Sequence, residues 1–154
     1  MPHRYLIDTN IVIHLLRGSA LGVFVMKKFR LSEKGTLYLM SVVTEAEARS
    51  LAYQLYWGDK KQEDLQNLLR KIPIADINHP SIIQAYAEID AYSQGKLINK
   101  PLPPKMTARN LGKNDLWIAA TASVLGLTLI STDKDFKHLA GKFISFEWID
   151  PDQT

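Results

Sequence analysis

The sequence predicts an α/β fold, a three-layer α/β/α sandwich around a central, mostly parallel sheet, and three observations carry that prediction. Short apolar runs of strand length alternate with longer segments in which apolar residues recur at helical spacing. Strands separated by helices pair in parallel through right-handed crossovers, which leave helices on both faces of the sheet. The 154 residues read as a single domain spanning 1–154, because a chain of this size buries about 68–70% of its unfolded surface and needs no staples.

His3 to Ile7 is a short buried strand, followed by the polar turn Asp8-Thr9-Asn10. Thr9 or Asn10 is the expected cap of a first helix that Gly18 ends near Arg17. Ser19 caps a second, with Leu21, Phe24, Val25 and Phe29 on its apolar stripe, expected to finish near Gly35. Leu37 to Met40 is the second strand, and Thr44 opens a helix carrying Glu45, Glu47 and Arg49 towards Tyr56. Asp59 caps the next helix, through about Lys71, and Ile72 to Ile77 is a proline-containing third strand. Pro80 suits a first helical turn, from which Ile82, Ile83, Tyr86, Ile89 and Tyr92 recur at helical spacing to Gly95. Lys96 to Lys113, with Pro101, Pro103 and Pro104, is a long loop of the kind that is usually functional or mobile. Asn114-Asp115 starts the most apolar helix, Leu116 to Leu125, closed by Gly126. Leu127 to Ser131 is a fourth strand, Thr132 to Phe136 a polar turn, and Phe143 to Phe146 a last strand.

Composition narrows the function. The chain is 46% hydrophobic and 23% charged, as globular proteins are. With Cys 0 it has no disulfide framework, thiolate zinc site or thiol nucleophile. The start, Met1 to Asp8, has too short an apolar run for a signal peptide, and no segment reaches the roughly 20 apolar residues that cross a bilayer. A cytoplasmic protein that does not engage membranes is expected. No G-x-G-x-x-G or Walker motif marks a nucleotide enzyme. The formal charge of +3 is mild, but Lys96, Lys100, Lys105, Arg109 and Lys113 fall in one stretch without an acid.

Taken singly, each acid has a structural explanation. Asp8 suits an Asx turn, Thr44-Glu45-Ala46-Glu47 reads as a capping box, Asp115 favours a helix dipole, and Thr132-Asp133-Lys134-Asp135 is a turn. Together they say more. Asp8 and Asp133 follow predicted strands, while Glu47 and Asp115 lie near helix starts, places that meet at one edge of an open parallel sheet. Two carboxylates about 4 Å apart repel by about 4 kcal/mol at an effective dielectric near 20. Converging acids therefore either hold protons or bind a hard cation such as Mg²⁺ or Mn²⁺. His3, His14, His79 and His138 show no shared ligand spacing. A carboxylate-bound ion beside a basic loop is equipment for phosphodiester hydrolysis, with Lys and Arg neutralising phosphates.

The ordered segments Leu6-Ile7-Asp8-Thr9-Asn10, Ser41 to Glu47, Asn114 to Ala122, and Leu129 to Phe136 resemble the PIN-domain family, and within it the VapC-type toxins of prokaryotic toxin–antitoxin pairs. The resemblance spans nearly the whole chain. Carried over residue by residue, it implies an acidic site of Asp8, Glu47, Asp115 and Asp133, with Asp8 and Asp115 as metal ligands and the other two as further candidates. Asn10 resembles the polar helper after the first acid, and Thr9 or Thr132 would orient a carboxylate. The resemblance implies Mg²⁺- or Mn²⁺-dependent RNA cleavage, dimerisation, and inhibition by a cognate antitoxin.

The sequence departs from the family pattern at several points. Glu45 stands where the family has an apolar residue and competes with Glu47, which the Thr-x-x-Glu spacing favours; Asp135 competes with Asp133, which is nearer the strand end. Arg49 either neutralises a site acid or phosphate, or pairs with Glu45 four residues earlier. The loop from Lys96 to Lys113 looks longer than is usual, and suits a phosphate-binding rim, a lid or a solvated insertion. Its Lys100, Lys105, Arg109 and Lys113 are, with Arg49, the RNA-binding candidates. Tyr53, Leu55, Tyr56 and Trp57 read first as core, and any exposed part suits a dimer or antitoxin contact. The rival reading is a non-catalytic RNA-binding or regulatory PIN-like module, in which the loop rather than the acids does the work.

Overall fold

The computed structural model describes residues 3–152; Met1, Pro2, Gln153 and Thr154 lie outside them. Five parallel strands, β1 (His3–Ile7), β2 (Thr36–Ser41), β3 (Ile74–Ala75), β4 (Thr128–Ser131) and β5 (Ser145–Trp148), form one sheet in the order β3-β2-β1-β4-β5. Among the described residues six α-helices lie between β1 and β4, α1 (Thr9–Arg17), α2 (Ala20–Lys28), α3 (Val42–Gln54), α4 (Asp59–Lys71), α5 (Pro80–Ser93) and α6 (Lys113–Leu125), and a 3₁₀ helix joins β4 to β5.

The two-residue period of a strand divides the core. Leu6, Leu39 and Leu129 face one layer, with Ile89 and Tyr92 of α5 and Ile118 and Ala119 of α6. Their chain neighbours Ile7, Met40 and Ile130 face the other, with Ile11 and Val12 of α1, Val25 of α2, and Leu65 and Leu69 of α4. Alternate residues thus enter opposite cores, as an α/β/α sandwich requires. Among the described residues no single helix is long and apolar enough to cross a membrane.

Several boundaries differ from expectation, each for a local reason. Asp8, not Thr9 or Asn10, caps α1, its carboxylate accepting the Thr9 N–H. Ser41, not Thr44, caps α3, so Thr44 and Glu47 lie inside the helix and form no capping box. Gly58 precedes α4, making Asp59 its first residue rather than its cap. Helix α2 ends at Lys28, and Arg30 turns the chain with φ of 53°. Strand β3 shrinks to two residues because Pro73 has no N–H to donate; only its carbonyl joins the sheet, accepting from Met40 N–H at 3.0 Å. Beyond β4 the polar turn lengthens into a 3₁₀ helix, Lys134–Leu139, and β5 begins two residues later than the apolar run suggested.

The long loop is anchored. Leu97, Leu102 and Leu111 join the α5–α6 core, and the Arg109 N–H donates to the Ser93 carbonyl at 2.7 Å. At the other pair of helices, Gly22 lets α2 cross α1 at backbone distance. A Cβ there would lie 2.4 Å from the His14 carbonyl oxygen, an atom that cannot swing aside. Gly22→Ala is therefore expected to cost about 1–3 kcal/mol, read as a melting temperature lowered by about 2–4 °C per kcal/mol.

Candidate active site

Parallel strands bring all their carboxyl ends to one edge, and there the chain gathers its acids. Asp8 ends β1, Asp133 follows β4, Glu47 comes from α3 and Asp115 from the first turn of α6. Asp8 is only 4% exposed. Its Oδ1 accepts the Thr9 N–H at 2.8 Å and its Oδ2 accepts the Ser131 hydroxyl at 2.6 Å. Ser131 Oγ in turn accepts the Asp133 N–H at 3.0 Å, so one buried hydroxyl ties the Asp8 carboxylate to the backbone of Asp133. Thr9 Oγ1 donates to Glu47 Oε1 at 2.7 Å and touches the Thr44 hydroxyl at 3.2 Å. Asn10 Nδ2 donates to Thr132 Oγ1 at 3.3 Å, tying α1 to the segment beyond β4.

The acids sense one another. Burial pushes the Asp8 carboxyl up to about 6, against the Ser131 and Thr9 hydrogen bonds that lower it, with the negative charges of Glu47 and Asp133 adding to the rise. Burial likewise raises Asp115 to about 7, reinforced by Asp8, Asp133, Glu47 and Asp135. Asp115 and Glu47 border a cleft together with Gly112, Lys113 and Asn114. A groove of about 510 Å³ continues from Glu47 and Asn114 along Ser50, Leu51 and Gln54 of α3.

The structure separates the competing residues. Glu45 Oε2 accepts from Arg49 Nε at 2.8 Å on the helix surface, whereas Glu47 lines the cleft. Arg49 is thus engaged by Glu45. Asp133 accepts the Asp135 N–H at 2.8 Å, and Asp135 stands exposed at the far rim with Arg109 and Leu111. Of the candidate cations, Lys113 and Arg109 border the acid edge. Lys100 does not: its Nζ lies 4.4 Å over the Phe143 ring, which precedes β5 and so sits at the opposite end of the sheet. Lys105 is exposed, with φ of 72°, and among the described residues it forms no ion pair to the acids. Tyr53, Leu55 and Tyr56 are 78%, 49% and 92% exposed rather than core, while Trp57 is half-buried under Lys61 Nζ at 4.3 Å. Sequence reasoning missed Ser131 as a site residue. The available signal was a small hydroxyl ending a buried strand two residues before Asp133.

The donor set is oxygen only, which suits a hard divalent cation. Among the described residues no three His, Cys, Asp or Glu side chains stand close enough to form a complete cage. A cation held here by the protein alone would therefore have at most two carboxylates and complete its shell with water, as Mg²⁺ can. The Asp115 carboxyl is raised in part by the charge of Asp8, so these two acids act on one another's neighbourhood across the edge.

Comparison with known proteins agrees with this geometry. A PIN domain family model matches residues 5–142. Ribonuclease VapC2 of Haemophilus influenzae is 28% identical over 146 residues, covering 88% of this chain and 92% of that protein. VapBC2 from Rickettsia felis, bound to a DNA fragment from their promoter, superposes with a TM-score of 0.72 at 21% identity, over 95% of this chain and 98% of that one. VapBC-1 from nontypeable Haemophilus influenzae gives 0.68 at 22% identity, over 94% and 96%. The structural likenesses speak for the fold, and the family model spans most of the chain and includes all four converging acids: this chain belongs to the PIN-domain family.

Proposed function

We propose that this chain is a metal-dependent endoribonuclease, the toxin of a toxin–antitoxin pair, hydrolysing RNA phosphodiester bonds at a carboxylate-bound Mg²⁺ or Mn²⁺ site in the cytoplasm. The observation that carries the reading is the meeting of Asp8, Glu47, Asp115 and Asp133, from four separate elements, at one sheet edge. The ribonuclease name of its Haemophilus relative supports the reaction class. The VapBC neighbours support an antitoxin partner.

Asp8 and Asp115 are the residues that would hold the ion, with Glu47 and Asp133 as further candidates. A bound ion there supplies an activated water and neutralises charge developing on the phosphate. Ser131 and the Thr9 amide hold the Asp8 carboxylate in one orientation. Thr9 engages Glu47 Oε1, and Oε2 would take the proton of the attacking water as its oxygen bonds to phosphorus; the bond from phosphorus to the leaving ribose oxygen would then break, that oxygen taking a proton from solvent water. Lys113 and Arg109 at the rim offset the negative edge towards a phosphate backbone. The exposed Tyr53, Leu55 and Tyr56 offer apolar area for a homodimer or antitoxin contact.

Purified protein incubated with total small RNA in Mg²⁺, Mn²⁺ or EDTA tests the reading, with Asp8→Asn protein as the contamination control. Cleavage by wild type in metal alone is the expected result. Cleavage that persists in EDTA or in Asp8→Asn rejects it, and RNA retention without cleavage replaces it with the non-catalytic binding module.

A further inference from the structure

The acid edge repels a polyanion, so an RNA backbone approaching it needs cations beside the acids. Arg109 and Lys113 border that edge, Arg109 next to Asp135. In the 3₁₀ helix that carries Asp135, Lys134 and Lys137 stand one period apart, so their side chains leave the same face. Their Nζ atoms lie 4.9 and 4.2 Å from the centroid of the Trp148 ring. That indole is itself fixed, donating from Nε1 to the Thr132 carbonyl at 2.9 Å, and Trp148 is paired in register with Ser131, the residue whose hydroxyl holds Asp8. Lys134 directly follows Asp133. Both lysines are exposed, and neither forms an ion pair among the described residues, although acids crowd the same edge.

We infer that Lys134 and Lys137, held on Trp148, form a phosphate-binding flank that seats the RNA backbone against the acid cleft. The inference rests on the reading of the chain as an RNA-cleaving enzyme and adds the path its substrate takes. An indole face attracts an ammonium without consuming any of its N–H donors. The two flexible stems are thereby restrained while all their donors stay available to phosphate oxygens. Point charges of this kind position a backbone and carry no base preference. The flank lies on β5 and the 3₁₀ helix, not on the lysine-rich loop whose Lys100 is turned to the far end of the sheet.

Binding of a short fluorescent single-stranded RNA in EDTA, followed by anisotropy across a salt series, tests this without relying on cleavage. Lys134→Gln/Lys137→Gln protein is expected to bind about tenfold more weakly near 0.1 M salt, and its log–log salt slope is expected to fall by about 1.4, two contacts of about 0.7 each. Lys134→Arg/Lys137→Arg restores both quantities, and Lys100→Gln leaves both unchanged. An unchanged slope in the double Gln variant overturns the inference, as does failure of wild type to bind. In Mg²⁺, the same double variant is expected to raise KM at constant kcat. Wild type that binds with the expected slopes yet never cleaves sinks the nuclease reading and leaves the flank standing.

Discussion

Asp115→Asn protein is expected to cleave RNA about 10³-fold more slowly than wild type and, stripped of metal, to melt at a higher temperature. The two effects have one origin. Asp115 brings a negative charge into a half-buried position already facing Asp8, Asp133, Glu47 and Asp135, which is why its carboxyl is raised to about 7. Without an ion that charge opposes folding. The rise from 3.8 to about 7 sets an upper bound of about 4 kcal/mol, and solvent screening at this partly open site leaves about 1–2 kcal/mol. Asparagine keeps the shape and removes the charge, so metal-free protein near pH 7.5 should gain about 2–8 °C. Catalysis moves the other way, because a lost ligand forfeits several kcal/mol of charge stabilisation, each 1.36 kcal/mol being tenfold in rate. Single-turnover cleavage and calorimetric melting in EDTA check the pair. Retained cleavage would remove Asp115 from the catalytic set, and a lowered melting temperature would show that the acids do not strain the fold.

The second large effect is on pH. Asp8, pushed up to about 6, and Asp115, at about 7, bind protons more tightly in the folded chain than in the unfolded one. Their stabilisation is therefore complete below about pH 4 and is lost as pH rises through about 6 and then about 7. For Asp8 alone the loss is about 3 kcal/mol. Metal-free protein is expected to lose stability between about pH 4 and 7 and to level off above that, opposite to the usual behaviour of salt-bridged carboxylates. Millimolar Mg²⁺ or Mn²⁺ should restore it near pH 8, with proton release, and do little near pH 5, where protons already occupy the site. Melting curves at several pH values, with EDTA and with metal, measure both halves. Stability that rises with pH in EDTA, or metal stabilisation equal at both ends of the range, would contradict a shared carboxylate site.

Much of this molecule is written in local pattern. The apolar run Tyr5-Leu6-Ile7 before Asp8, and Leu129-Ile130-Ser131 before Thr132, identify strands whose ends carry acids, and parallel topology alone brings those ends to one edge. The alternation of Leu6 with Ile7 and of Leu129 with Ile130 dictates two cores, hence helices on both faces. Local pattern was a weaker guide to boundaries. The Thr-x-x-Glu spacing pointed to Glu47 for a capping reason that does not hold, since Ser41 caps α3; Glu47 faces the cleft because of where α3 crosses α1.

By itself, then, the sequence determined the layers, the parallel order of strand ends and the set of acids that meet there, because apolar period and strand–helix alternation are properties of neighbouring residues. Only the tertiary structure decided that Glu47 lines the cleft while Glu45 pairs with Arg49, that Ser131 bridges Asp8 and Asp133, that Lys100 turns away to Phe143, and that Lys134 and Lys137 share the Trp148 ring. Those outcomes depend on contacts between residues distant in the chain, such as Ser131 with Asp8, and burial and hydrogen bonding at such contacts follow from how whole elements cross rather than from any local spacing.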